Sequence, residues 1–527
     1  RIYRKREGKH TMKKYLILLM LLIPSFAFAA DIDCDSTTLQ AAIDAASDGA
    51  TITCNAGSFE WTASPNIPAT KGLTITGKGT ATETGTLITH AAKPLIINLA
   101  DANSTVDISG FKITKTATGS SIILYNSNNP PVYAGDPMFR IHGNYFEDGL
   151  TTNAAGTISI ANYAYGLIDN NTFNDFGSYG IFTNFQITGE ATAAVEGAWA
   201  WSQAQAVGTN KAVYIENNTF ATTRGSSTIA ISGASGARYV ARHNDITGTS
   251  ISSHSGCTGG RYQPMWIEAY LNKIDYNAWY GLLWYRSNSG IMWGNSFPLS
   301  ASSTVMRVDF ERSYRADCNT TYTTINSVCN GTQAIDGNTA EMNGWPCMGQ
   351  PGYGPVQTTI TDGSVSDNGM DLGYVFAGLF AWANTRGAST AINLGYNGSY
   401  ATQEAQVAVD RELFNTANMT IGGAKPETCT AATGTSGRDI YIDTTTAASP
   451  VIWQCSATNT WTQHWTPYTC PHPLAGSGEC TTAAGTGGYL LGGEPPIYTA
   501  TSSVVNDVGG TVSGSQSVES GSTATFT

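Results

Sequence analysis

Ile168-Asp169-Asn170-Asn171-Thr172-Phe173 is the stretch that decides how this chain folds. Its pattern is apolar, any, any, Asn, any, apolar. The same pattern stands at Ile141–Phe146 and Ile215–Phe220, in looser form at Ala241–Ile246 and Ala269–Ile274, and again at Met292–Phe297. From Asn144 to Asn295 the successive asparagine spacings are 27, 47, 26, 28 and 23 residues. The long interval equals one ordinary period plus an insertion of about 20 residues near positions 186–207, as a solenoid with a loop on one rung would give. A period in the twenties, built from short β-type stretches with Gly and Asn between them, is a solenoid signature. Leucine-rich repeats share the length, but their regular leucine spacing is absent. Helical repeats run longer and need stripes of period 3.6, which the chain lacks. The pattern therefore predicts an all-β parallel β-helix, with about three short strands per rung and rungs stacked at roughly 4.8 Å.

The residue types fit that geometry. Asparagine tolerates the left-handed backbone of a tight turn, and stacked asparagines can hydrogen-bond along the axis as amide ladders do. Phe146, Phe173, Phe220 and Phe297 are expected to stack inside as an aromatic ladder. Ahead of the repeat, Thr37 to Ala46 reads as a short helix capped by Thr37 or Thr38 and stopped by Gly49, with Leu39, Ala42, Ile43 and Ala46 on its apolar face. A stack of rungs has an open end with free edges and bare core, and a capping helix covers it.

The opening helix, Gly-rich strands and N-x-F rungs together resemble right-handed parallel β-helix proteins of the pectate-lyase-like superfamily, over roughly residues 35–400. Tyr468 to Leu474, reading Y-T-C-P-H-P-L, resembles a closing motif of secreted bacterial members, with Cys470 where Tyr is usual. The resemblance implies polysaccharide lyases, glycoside hydrolases, epimerases or phage and surface adhesins, so it does not choose an activity. The expected organisation is a signal peptide with upstream residues (1–29), the β-helix (30–425), a small disulfide-closed inserted module (426–462), a closing segment of the β-helix (463–500) and the start of a truncated surface-protein β repeat (501–527).

Charge and cysteine usage set the compartment. Charged residues make up 13% of the 527, against roughly 25% in a usual soluble domain. Met12, Lys13-Lys14, the apolar run Leu16–Ile23 and Ala27-Phe28-Ala29 form a cleavable secretory signal whose apolar run is too short to span a membrane. Residues 1–29 hold seven Lys/Arg against one Glu, so the net charge of −12 becomes −18 once they are removed. Such a surface disfavours nucleic acid, which needs clustered Lys/Arg, and makes an acidic polymer hard to hold without a local basic patch or Ca²⁺. The expected product is secreted or at the cell surface, with no membrane span and with a polysaccharide or surface glycan as partner. Ten cysteines in an oxidising compartment read as disulfides. Local pairs Cys34–Cys54, Cys429–Cys455 and Cys470–Cys480 are plausible, with Cys257, Cys318, Cys329 and Cys347 sharing the middle. No C-x-x-C pair or histidine spacing supports zinc.

The repeat also locates candidate chemistry. Residues two before each ladder asparagine face outward because those three before are apolar. That column reads His142, Asp169, Glu216, Arg242, Tyr270 and Trp293. Four before the asparagine stand Arg140, Leu167, Tyr214, Val240, Glu268 and Ile291, and six before stand Arg238 and Trp266. Neighbouring rungs bring column members within about 5 Å. Asp169 beside Glu216 offers the paired carboxylates of a hydrolase, one with a raised pKa. A lyase needs a base next to a cation, and Arg242, Arg238 or Arg140 supplies the cation. Tyr214, Tyr270, Trp266 and Trp293 offer faces for sugar rings. The competing reading is a structural ladder of favourable cross-strand pairs.

Three further segments carry chemistry-bearing residues. His254 to Arg261 interrupts the repeat as a loop, with His254 as candidate base. Arg307 to Arg315 concentrates charge and reads equally as a salt-bridged face. Asp362 to Asp371 offers oxygen ligands of the kind Ca²⁺ takes, without EF-hand spacing. The reading is a carbohydrate-active β-helix with Asp169, Glu216, Arg242 and His254 as catalytic candidates. His142, Arg140, Tyr214, Arg238, Trp266, Glu268, Tyr270 and Trp293 are the substrate-binding candidates, and no metal ligand is assigned. The rival reading is a non-catalytic adhesin or phage-like fibre domain that binds glycans.

Overall fold

A computed structural model describes residues 31–99, 105–125, 138–148, 156–161, 164–184, 206–224, 228–234, 236–253, 264–276, 283–286, 288–297, 305–309, 352–355, 374–386, 394–396, 413–431, 438–446, 449–476, 498–500 and 516–518. Within them the chain winds into three long parallel sheets of 11, 10 and 10 short strands, a right-handed parallel β-helix. Every third strand joins the same sheet. In the first sheet Thr51–Thr53 lies beside Thr74–Thr76, then Val106–Ser109, Phe139–His142, Gly166–Asp169, Val213–Glu216, Arg238–Arg242, Trp266–Tyr270, Ser289–Trp293, Leu379–Trp382 and Leu413–Asn415. The register stacks Ile141, Ile168, Ile215 and Ala241 inward, and His142, Asp169, Glu216 and Arg242 outward.

The start of the coil departs from expectation in one detail. Helix α1 covers Ser36–Ala45, and its cap is Asp35, whose carboxylate accepts the amides of Thr37 and Thr38. A carboxylate two residues before Thr37 reaches two orphan amides at once, which either hydroxyl would do less well. Leu39 and Ile43 are buried against the first rungs, and the Cys34–Cys54 disulfide ties the cap to them. Cys429–Cys455 is the second bridge described, and no cysteine is free among the described residues.

The asparagines form an internal ladder. Asn171 donates its backbone N–H and its side-chain Nδ2 to Asn218 Oδ1 at 2.9 and 3.0 Å, while Nδ2 also reaches the carbonyls of Ile141 and Asp169. The arrangement repeats from Asn144 through Asn171, Asn218, Asn244, Asn272 and Asn295 to Asn384. The left-handed turn residue is the one before each asparagine: Gly143, Asn170, Asn217, His243, Leu271, Gly294 and Ala383 all have φ between 52° and 62°. Turn and ladder are thus separate jobs on adjacent residues. The amide side chain satisfies backbone groups that the turn strands inside the coil.

The phenylalanine ladder is real but shorter than expected. Phe146 stacks on Phe173 at 5.0 Å and Phe173 on Phe220 at 4.6 Å. Ile246 and Ile274 then continue the column, so the buried Phe297 does not stack on Phe220.

A second core lies outside the coil. Strands Thr420–Ile421, Ile440–Asp443, Val451–Ala457 and Thr460–Trp465 make a small four-stranded sheet. Ile440, Ile442, Ile452 and Trp465 pack with Tyr214, Val240, Trp266, Tyr270, Trp293, Phe380, Trp382 and Phe414 on the outer face of the first sheet. Each large side chain removed from water there contributes about 1.5–3 kcal/mol. The expected signal peptide, the Cys480 pairing, the Asp362–Asp371 segment and the central cysteines lie outside the described residues. No helix among the described residues is long and apolar enough to cross a membrane.

Candidate functional site

The outward column on the first sheet divides into a covered part and an open part. In the covered part, Glu216 and Arg242 are wholly buried. Arg242 Nε donates to Glu216 Oε2 at 2.6 Å, and Nη2 lies 2.6 Å from the same oxygen. The remaining guanidinium protons go to Tyr270 Oη (3.0 Å) and to the backbone carbonyls of Tyr468 (2.7 Å) and Thr469 (2.9 Å). Glu216 Oε1 accepts the amide of His472 at 3.1 Å. The ion pair is therefore saturated by the chain's own segment 468–472. The Arg242 guanidinium lies 5.0 Å from the Tyr214 ring centroid, and the His472 imidazole packs on Tyr214 at 4.9 Å and on Tyr468 at 5.5 Å.

Electrostatics follow from that burial. Removal from water alone would depress Arg242, but the facing Tyr270, Glu216 and Tyr214 outweigh it and the net direction is upward. Burial raises the Tyr214 and Tyr270 phenols. His472 is held down to about 3, chiefly by burial and then by the Arg242 and Arg140 charges, so its ring is neutral. Burial also raises the Glu268 carboxyl, opposed by the Trp266 indole, which donates to Oε1 at 2.8 Å.

Tyr270, Trp293 and Trp382 continue the column, the first two rings tilted at 5.3 Å and the last two stacked at 5.8 Å, and Trp465 meets Tyr270 and Trp382 edge-on at 6.1 and 6.3 Å. Tyr214, Trp266, Tyr270 and Trp293 are at most 2% exposed. In this arrangement their faces meet residues 438–475, and no sugar ring reaches them. Arg238 is also buried, with Nη2 lying 3.9 Å from Met265 Sδ. His254 lies outside the described residues.

The open part begins where the covering segment stops. Arg140 holds Asp169 through two parallel bonds, Nε to Oδ1 at 2.9 Å and Nη2 to Oδ2 at 2.7 Å. Asp169 itself is buried, while Arg140 keeps 17% of its side chain exposed. Two residues along the Arg140 strand, His142 Nε2 lies 3.1 Å from Asp107 Oδ1, each side chain a little over a quarter exposed. Asp107 pairs with Arg140 in strand register and belongs to a rung on which Phe111 stands where the ladder asparagine is expected, its backbone N–H donating to Asn144 Oδ1. That substitution hid the rung, and with it Asp107, from the repeat pattern. Trp382 was hidden for a related reason: its rung follows an 89-residue interval after Asn295, and Arg386 falls where the motif expects an apolar residue.

Elsewhere, Arg307 lies 4.8 Å from the Trp284 ring centroid on the third sheet, with Arg286 at 3.3 Å. Among the described residues no group of three or more His, Cys, Asp or Glu converges as a metal site. No family model, no curated protein and no solved structure matches the chain.

Proposed function

We propose that the chain is an exported β-helix protein of the surface-adhesin or fibre kind that binds polysaccharide, and that its Glu216–Arg242 pair holds the molecule together instead of cleaving sugar. One observation carries this reading. The carboxylate and guanidinium that a lyase or hydrolase would use are fully buried and already bonded to Tyr468, Thr469 and His472. Two disulfides suit an oxidising compartment. A rigid wall of rungs repeating at about 4.8 Å suits an extended polymer. Arg140, which keeps 17% of its side chain exposed, is the cation on this open face that an acidic glycan would meet on a chain of strongly negative net charge.

A second reading keeps the pectate-lyase-like expectation. Arg140, His142 and Asp107 place a cation beside an imidazole oriented by a carboxylate, which is what proton abstraction next to a sugar carboxylate requires. A panel of pectin, alginate, chondroitin and neutral glycans, with and without Ca²⁺, separates the two. The adhesin reading expects binding that the double variant Asp107→Asn/His142→Ala weakens, with no new reducing ends and no ultraviolet absorbance from unsaturated sugar. Product formation by the wild-type chain would overturn it in favour of the enzyme, and absence of binding to every glycan would overturn both.

A further inference from the structure

One inward column of the second sheet carries titratable side chains. Strand register places His90, Lys115 and Asp148 on consecutive rungs of the second sheet, and all three are at most 1% exposed. Lys115 Nζ lies 3.0 Å from Asp148 Oδ2 and donates to the Gly119 carbonyl at 2.7 Å. The same Oδ2 accepts the backbone N–H of Gly177 at 3.0 Å. Arg224, just after the strand two rungs further on, donates to the Asp148 carbonyl oxygen. His90 is anchored by the Lys93 amide on Nδ1 and by Ser121 at Nε2.

A lysine and an aspartate sealed together in this way are costly as ions, several kcal/mol each, and removing either one strands the other. Held 3.0 Å apart inside the closed coil, Nζ and Oδ2 give the two groups a very high effective local concentration. The geometry points to Lys115 and Asp148 as the two ends of an intramolecular amide cross-link: we propose that they condense to an Nζ–Cγ isopeptide bond once the coil has closed around them.

The step balances without any co-reactant. A proton passes from the Lys115 ammonium to the Asp148 carboxylate, leaving a neutral amine and a neutral acid. The amine lone pair attacks Cγ and the C–N bond forms. The Gly177 N–H stabilises the charge that develops on Oδ2, as an oxyanion donor does. The C–OH bond then breaks, and the hydroxyl leaves as water with a proton from the nitrogen. Two buried charges become one neutral amide, and the dry interior disfavours the returning water. Burial, and then Arg224, depress the Lys115 ammonium against the opposing pull of Asp148, and burial holds the His90 imidazole down at about 4. The bond would join adjacent rungs of the coil covalently, in addition to their hydrogen bonds.

Intact mass of the purified full chain, fully reduced and alkylated so that cysteines do not contribute, tests this directly. The expected mass is one water below that of the sequence, and a protease digest yields a branched peptide joined at Lys115 and Asp148. The variant Asp148→Ala restores the full mass. Because the wild-type mass is itself decisive, the result stands even where the variant folds poorly. A folded wild-type chain of unreduced mass, or a water loss mapped to any other pair, overturns the proposal. It is independent of what the outer surface binds.

Discussion

Replacing Glu216 with Gln separates a clamp from a catalyst. The substitution keeps the shape of the side chain and removes its charge. In the native arrangement one carboxylate oxygen faces two guanidinium nitrogens at 2.6 Å and the other takes the His472 amide. An amide can accept one of those contacts, but it turns an NH2 toward a donor at the other. Arg242 then remains buried with only neutral acceptors, Tyr270 Oη and the Tyr468 and Thr469 carbonyls. Removing one partner of a buried pair costs about 3–5 kcal/mol. The loss should appear first as opening of segment 465–475, whose polar anchorage runs through this pair. Amide hydrogen exchange reads that opening directly. Protection across 468–474 should fall by about a hundredfold or more, since each 1.4 kcal/mol is a factor of ten. The urea midpoint should fall with it. Unchanged exchange and an unchanged midpoint would refute the clamp, and lost glycan processing on top of that would return the pair to catalysis.

Two other perturbations test the ladder and the buried histidines. Asn218→Ala removes the acceptor for Asn171 and the donors to Ile168, Glu216 and Asn244; with roughly 1–3 kcal/mol for each stranded buried group, the loss should reach several kcal/mol in a denaturation experiment, and a loss under about 1 kcal/mol would contradict the ladder's role. Burial lowers His90 to about 4 and His472 to about 3 from an ordinary 6.5, so their stabilisation is present above pH 6.5 and lost as pH falls; between those values each costs about 1.4 kcal/mol per pH unit, so urea midpoints should drop steeply from pH 6 to pH 4.5, and the variant His472→Asn should flatten that drop.

The rungs were legible because their spacing is local. An apolar residue three before each asparagine and a period of two along a strand sufficed to place His142, Asp169, Glu216, Arg242, Tyr270 and Trp293 in one outward column, and the register bears this out. What the repeat does not encode is which side of a sheet meets water. Outward in a solenoid ordinarily means exposed, so those residues read as a cleft. The burial of Glu216, Arg242, Tyr270 and Trp293 depends on Trp465, Tyr468 and His472, more than 170 positions further along than Trp293, and no local pattern announces that contact. The helix cap differs from Thr37 or Thr38 for the opposite reason: Asp35 lies close by, two residues before Thr37, but outside the apolar periodicity that marks the helix. His142 stands in the column without its partner Asp107, because the Asp107 rung carries Phe111 where the motif has its asparagine.

The outer core has a consequence for how the chain is made. Arg242 meets Tyr468 and Thr469 across 226 and 227 residues, and Glu216 meets His472 across 256. A polypeptide emerges from its N-terminus, so Tyr214, Trp266, Tyr270, Trp293 and Trp382 all exist before anything that can shield them. Rungs can zip up one after another on local contacts, yet each newly zipped rung in this stretch adds another aromatic ring to a bare, adhesive wall. Self-association is therefore most dangerous in the interval between synthesis of Trp266 and arrival of Trp465, and a nascent chain stalled there presents a surface that neighbouring chains can share.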